Sequence, residues 1–147
     1  MKTIALRFGE HFAPVCGTIA EHQKIIDAIG HVWYGKLGSA VSAKVTGDIL
    51  QQDDPIILLI NSGKVDRYWA HISAITQERP PSGEFPTYYH ENAEKMKTWF
   101  KVIYFESAPK DIMAKCFVAS SGSPLSEASR FSMSPYFIIR YDEEVIS

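Results

Sequence analysis

Apolar positions cluster in two runs joined by a short polar turn. Ile56 to Ile60 is unbroken by any polar residue, the pattern of a strand buried on both faces. Asn61-Ser62-Gly63 supplies turn formers, and Tyr68 to Thr76 reads as the antiparallel return strand, carrying Trp69 just beyond the turn. Elsewhere, Thr3 to Phe8, His31 to Tyr34, Trp99 to Phe105 and Tyr136 to Tyr141 read as strands. Thr18-Ile19-Ala20-Glu21 has the form of a capping box, and Ile19, Ile25, Ile26 and Ile29 share one helical face that Gly30 ends. Ser42 is the expected cap of a second helix reaching about Gln51, with Val45, Ile49 and Leu50 inward. Gly35 to Gly38 reads as a turn, residues 85–96 as containing a short helix, residues 109–116 as one or two helical turns, and the Ser-rich residues 119–134 as a loop.

Five or six short strands with interspersed helices predict an α+β fold: a small, curved, partly open mixed β-barrel with helices outside. The length, 147 residues, predicts one domain spanning 1–147. Hydrophobic residues at 46% and charged residues at 22% are ordinary for a globular protein, and no apolar run approaches a membrane span. Met1 to Phe8 reads as a first strand rather than a signal peptide, so the cytoplasm is the expected compartment. Cys16 and Cys116 have no metal-ligand spacing and are expected as free thiols. A net charge of −2 argues against a protein that coats nucleic acid non-specifically, but allows a selective binder with a local basic rim.

Three stretches, in this order, resemble the YTH and EVE domains of the PUA-like superfamily. They are Leu58-Leu59-Ile60-Asn61-Ser62-Gly63 with Tyr68-Trp69-Ala70-His71-Ile72; Trp99-Phe100-Lys101-Val102-Ile103-Tyr104-Phe105 with Ser107-Ala108-Pro109; and Gly122 to Arg130. The similarity covers roughly residues 30 to 141. The sequence departs from the family in having Arg130-Phe131 where an Arg-Asp step is expected, and in lacking a second tryptophan near Trp69 along the following loop. The resemblance implies a nucleic-acid-binding module that takes a methylated or flipped base into an aromatic pocket. Its partner would be DNA or RNA carrying a modified base, with a nuclease or methyltransferase as a possible second protein.

A base reader needs rings to stack on, polar groups for the base edge and cations for the flanking phosphates. Trp33, Tyr34 and Trp69 are the expected walls, Asn61 and Ser62 the edge readers, and His71 a pocket-lining candidate on the face of Trp69. Lys36, Lys64, Arg67 and Arg130 are the expected phosphate contacts. Tyr88, Tyr89 and Trp99 are lesser ring candidates, and Lys95 and Lys97 suit a helix end. Each has a plainer reading as core ring, turn former or solvated charge.

The five histidines form no HxH or HExxH pattern, and no nucleophile elbow, P-loop or GxGxxG occurs, so neither metal nor cofactor is expected. Two other functions compete. One is an immunity, inhibitor or phage counter-defence protein that binds a protein partner. The other is a hydrolase or ribonuclease like some ASCH modules, using Lys36, Tyr34 or Lys64.

Overall fold

The computed structural model describes residues 1–8, 14–61, 66–132, 134 and 136–142. Seven strands form one mixed sheet among them: β1 (Lys2–Phe8), β2 (Val32–Leu37), β3 (Ile56–Asn61), β4 (Arg67–Thr76), β5 (Met96–Ser107), β6 (Phe117–Val118) and β7 (Tyr136–Arg140), in the order β2-β5-β4-β3-β1-β7-β6. β1 and β3 run parallel, and every other neighbouring pair is antiparallel. The helices are α1 (Thr18–Ile29), α2 (Ala43–Leu50), α3 (Ile112–Lys115) and α4 (Leu125–Phe131).

The sheet curls around its inner face. Tyr34 of β2 and Tyr136 and Ile138 of β7 pack in one cluster with Ile4, Leu59 and Val102, although four strands separate β2 from β7 in the sheet order. α1 and α2 close this inner side through Ile19, Ile25, Ile26, Val45 and Ile49. The outer face carries Leu58, Ile60, Trp69 and Ile139 under Ile112, Met113 and Leu125 of α3 and α4. β3 is buried along its whole length, as an apolar run sandwiched between two clusters must be. The result is an α+β half-barrel.

Several local expectations are corrected. The seventh strand, β6, is too short for alternation to reveal it. The residue preceding α1 is Gly17, at a positive φ of 93° that favours glycine, and no side chain caps the helix; Thr18 is already helical and buried, so the capping box does not form. Gly30 does end α1 in the left-handed region, its N–H donating to the Ile26 carbonyl at 2.7 Å. Ser42 does cap α2, accepting from the Val45 N–H. Ile29 and Leu50 face solvent rather than the core. β2 continues through Gly35 and Lys36, which pair with Trp99 and Thr98, so the expected turn starts later. Residues 85–96 hold two 3-10 turns, Thr87–Tyr89 and Ala93–Lys95, over a separate cluster of Phe85, Met96 and Trp99. The Ser-rich stretch contains α4: Leu125 and Ala128, three apart, anchor it to the outer cluster despite the weak helix propensity of serine.

Candidate functional site

β1 and β3 point the same way, and their C-terminal ends open beside the first turn of α1. Ligands of mixed and parallel sheets collect at such ends because the chain diverges there into different connections. A cleft of about 650 Å³ lies at this place, between α1, the start of β4 and the end of β5. That size falls within the roughly 300–1,000 Å³ of small-ligand sites.

Each wall has a source in the strand pattern. Phe8 and Asn61 are register partners at the ends of β1 and β3, so their side chains share the inner face. Tyr68 is the second residue of β4 and Phe105 lies near the end of β5, both on the inner side. Phe8, Tyr68 and Phe105 supply ring surface. Asn61, 7% exposed, and Gln23 supply amides, and Asp66 and Ser107 add polar groups. The Asn61 N–H donates to the Asp66 carbonyl at 3.2 Å, which holds the end of β3 against the start of β4. Among the described lining residues there is one carboxylate and no lysine or arginine. The rings and amides of this lining suit a flat group with hydrogen-bonding edges.

Behind Phe105 stands His22, fully buried on α1, with ring centroids 6.3 Å apart. Its Nδ1 donates to the Thr18 carbonyl at 2.8 Å, and the rings of Tyr34 and Tyr89 flank it at 5.0 and 5.1 Å. Burial pushes its pKa down to about 4, so the ring is neutral. At the cleft rim, the Cys16 thiol donates to Glu21 Oε1 at 2.7 Å, and Lys24 Nζ lies 3.1 Å from the same oxygen. The Cys16 hydrogen bond, then that from Lys24, holds the Glu21 carboxyl below its ordinary range.

The residues expected to form one pocket are not brought together. Asn61 lines the cleft, while Ser62 and Lys64 lie outside the described residues. Trp69 is 1% exposed on the outer face, its ring 5.4 Å from that of Tyr141. Tyr34 is buried on the inner face beside His22, so these two expected walls stand on opposite sides of the sheet. Trp33 alternates away from Tyr34 and packs at the Trp99 cluster, its backbone N–H donating to the Glu84 carbonyl. The Glu84 carboxyl is held low by His31, with Nε2 at 2.6 Å, and by the Trp33 side chain. His71 is buried between Asp54 (3.0 Å) and Glu106 (2.8 Å) and stacks on Tyr104 at 3.9 Å, away from the cleft. Tyr89 and Trp99 are core rings, and Tyr88 packs against them.

The expected cations divide likewise. Lys36 is 6% exposed, its Nζ donating to the Leu37 and Ser39 carbonyls at 3.1 and 2.8 Å, and burial lowers its pKa. Arg67 shares the register position of Ile60 with Arg7, which puts both on the outer face at the cleft's end of the sheet. Arg130 is exposed in the last turn of α4. Tyr68 and Phe105 were missed as cleft residues. Each follows the alternation of its strand, but only the paired ends of β3, β4 and β5 reveal that they meet. Among the described residues no three His, Cys, Asp or Glu side chains are placed to hold a metal, and no helix is long and apolar enough to cross a membrane.

The described residues thus form a half-barrel with a ring-lined cleft at the ends of its parallel strands. The Pua-like family model matches residues 4–146, and the chain belongs to that family. Domains of this kind commonly bind nucleic acids. No curated protein and no solved structure matches the sequence.

Proposed function

We propose that this chain binds single-stranded or locally opened nucleic acid and takes one flipped base, modified by methylation, into the cleft. The observation that carries the reading is the cleft's lining: Phe8, Tyr68 and Phe105 around the amides of Asn61 and Gln23, with no described cation inside. Base stacking on rings is worth about 1–3 kcal/mol per base, and the amides can donate to and accept from a base edge. A methyl group gains from apolar contact with ring surface rather than from hydrogen bonds. The flanking phosphates are assigned to the arginines at this end of the sheet, Arg67 and Arg130, in place of Lys36.

The test is calorimetry with short DNA and RNA strands, each unmodified or carrying a methylated adenine or methylated cytosine. Binding of one modified strand over its unmodified counterpart supports the reading, as does its loss in Tyr68→Ala with the fold intact. An absence of heat with every strand rejects it.

A further inference from the structure

One large ring stands out in the open. Phe131, at the end of α4, is 80% exposed, more than any other aromatic side chain among the described residues. The Arg130 guanidinium carbon lies 5.9 Å from its ring centroid. The fold buries little of this ring, so packing does not account for it.

Its position is tied to the cleft through one side chain. Arg7 of β1 sends Nη2 to the Ser129 and Ser132 carbonyls at 2.6 and 2.9 Å. Those carbonyls bracket Phe131, and Arg7 adjoins Phe8 of the cleft wall. The tie fixes the exposed end of α4 on the outer face at the end of β1, across the sheet from the cleft wall that Phe8 forms. The Arg7 guanidinium also lies 5.5 Å from the Phe137 ring, which holds it in place from below.

We infer that Phe131 and Arg130 form a second subsite, which receives the nucleotide next to the one in the cleft. Phe131 stacks on the neighbouring base and Arg130 meets the intervening phosphate. The occupant follows from charge and shape: an exposed ring beside a guanidinium matches a base joined to an anionic linker. The inference rests on the base-binding reading of the cleft and adds a direction, with the strand leaving the cleft over the outer face toward α4.

The experiment compares the wild type with Phe131→Ala, Phe131→Trp and Arg130→Gln, titrated with a methylated nucleoside and with a short strand carrying the same base. Phe131→Ala is expected to weaken strand binding about five- to a hundredfold, the range of one lost stack, with nucleoside binding unchanged and Phe131→Trp close to wild type. Arg130→Gln should reduce the slope of log affinity against log salt by about one phosphate contact. Equal strand affinity in wild type and Phe131→Ala overturns the second subsite and leaves the cleft reading standing. Strand binding by neither protein overturns both. A change in sedimentation of Phe131→Ala at unchanged strand affinity also overturns it, because the ring would then serve contact between copies of the chain.

Discussion

Lys36 Nζ lies 4.5 Å from the centroid of the Tyr136 ring. The first belongs to β2 and the second to β7, with β5, β4, β3 and β1 between them in the sheet. The contact therefore crosses the mouth of the curled sheet and helps to hold the half-barrel's open sides together. A buried ammonium with two carbonyl acceptors and a ring face is a structural element.

Lys36→Met should accordingly lower stability by about 1–3 kcal/mol, since the Leu37 and Ser39 carbonyls lose their charged donor. Strand affinity should stay within about twofold of wild type, against the larger loss expected for a phosphate contact. Urea unfolding and a binding titration on the same preparation check both. Lost binding at unchanged stability would return Lys36 to the phosphate site.

Trp69→Ala should strongly destabilise rather than merely disarm the protein. The indole is fully enclosed by the outer cluster and leaves a large void when removed, at a cost of about 3–5 kcal/mol. Trp69→Phe should be far milder, because the indole N–H has no hydrogen-bond partner among the described residues and its removal strands nothing. Thermal unfolding of both variants distinguishes this from a wall of the binding site, where Trp69→Ala would melt near wild type.

Trp69 also shows where the sequence stops being informative. Strand existence and the buried character of Ile56 to Ile60 follow from residue type alone, and the return through Tyr68 to Thr76 follows from the turn between them. The face of each ring does not. Tyr34 and Trp69 are each legible as ring-bearing strand residues. Whether they meet depends on strand order and on which side α3 and α4 cover, and those relations join residues far apart in the chain. Asn61 is legible as a candidate because it ends a strand in a turn. Tyr68 and Phe105 escaped notice because alternating rings read equally well as core. α4 was hidden by serines whose neighbours Leu125 and Ala128 carry the packing.

Gly35→Ala should destabilise through a specific collision. A Cβ at this position would overlap Met96 Sδ and sit 3.0 Å from Trp99 Cζ3, inside the third cluster. Overpacking of this kind costs about 1–3 kcal/mol. The double variant Gly35→Ala/Met96→Ala should lose less than the sum of the two single changes, because the second substitution empties the space the first requires. Additive losses in denaturant unfolding would show that the strain lies in the β2 backbone instead.

His22 gives the fold a defined acid limit. Its folded pKa is about 4 against an ordinary 6.5, so between those values the unfolded chain binds the proton and the folded chain does not. Stability then rises with pH across this window and is lost as pH falls from 6.5 toward 4. At about 1.36 kcal/mol per pKa unit the loss is of order 3 kcal/mol. The carboxyls held low, Glu21 and Glu84, act below their ordinary 4.5 and leave the upper part of the window to His22. Replacement by Gln removes the titrating ring. His22→Gln should be the less stable protein at pH 7, and its deficit should shrink as pH is lowered from 6.5 to 5. In the folded protein the ring stays neutral until about pH 4, so strand affinity in the wild type should not fall through His22 between pH 6.5 and 5. Unfolding curves of wild type and variant that stay parallel from pH 7 to pH 5 would exclude a neutral, buried His22 as the source of the acid sensitivity.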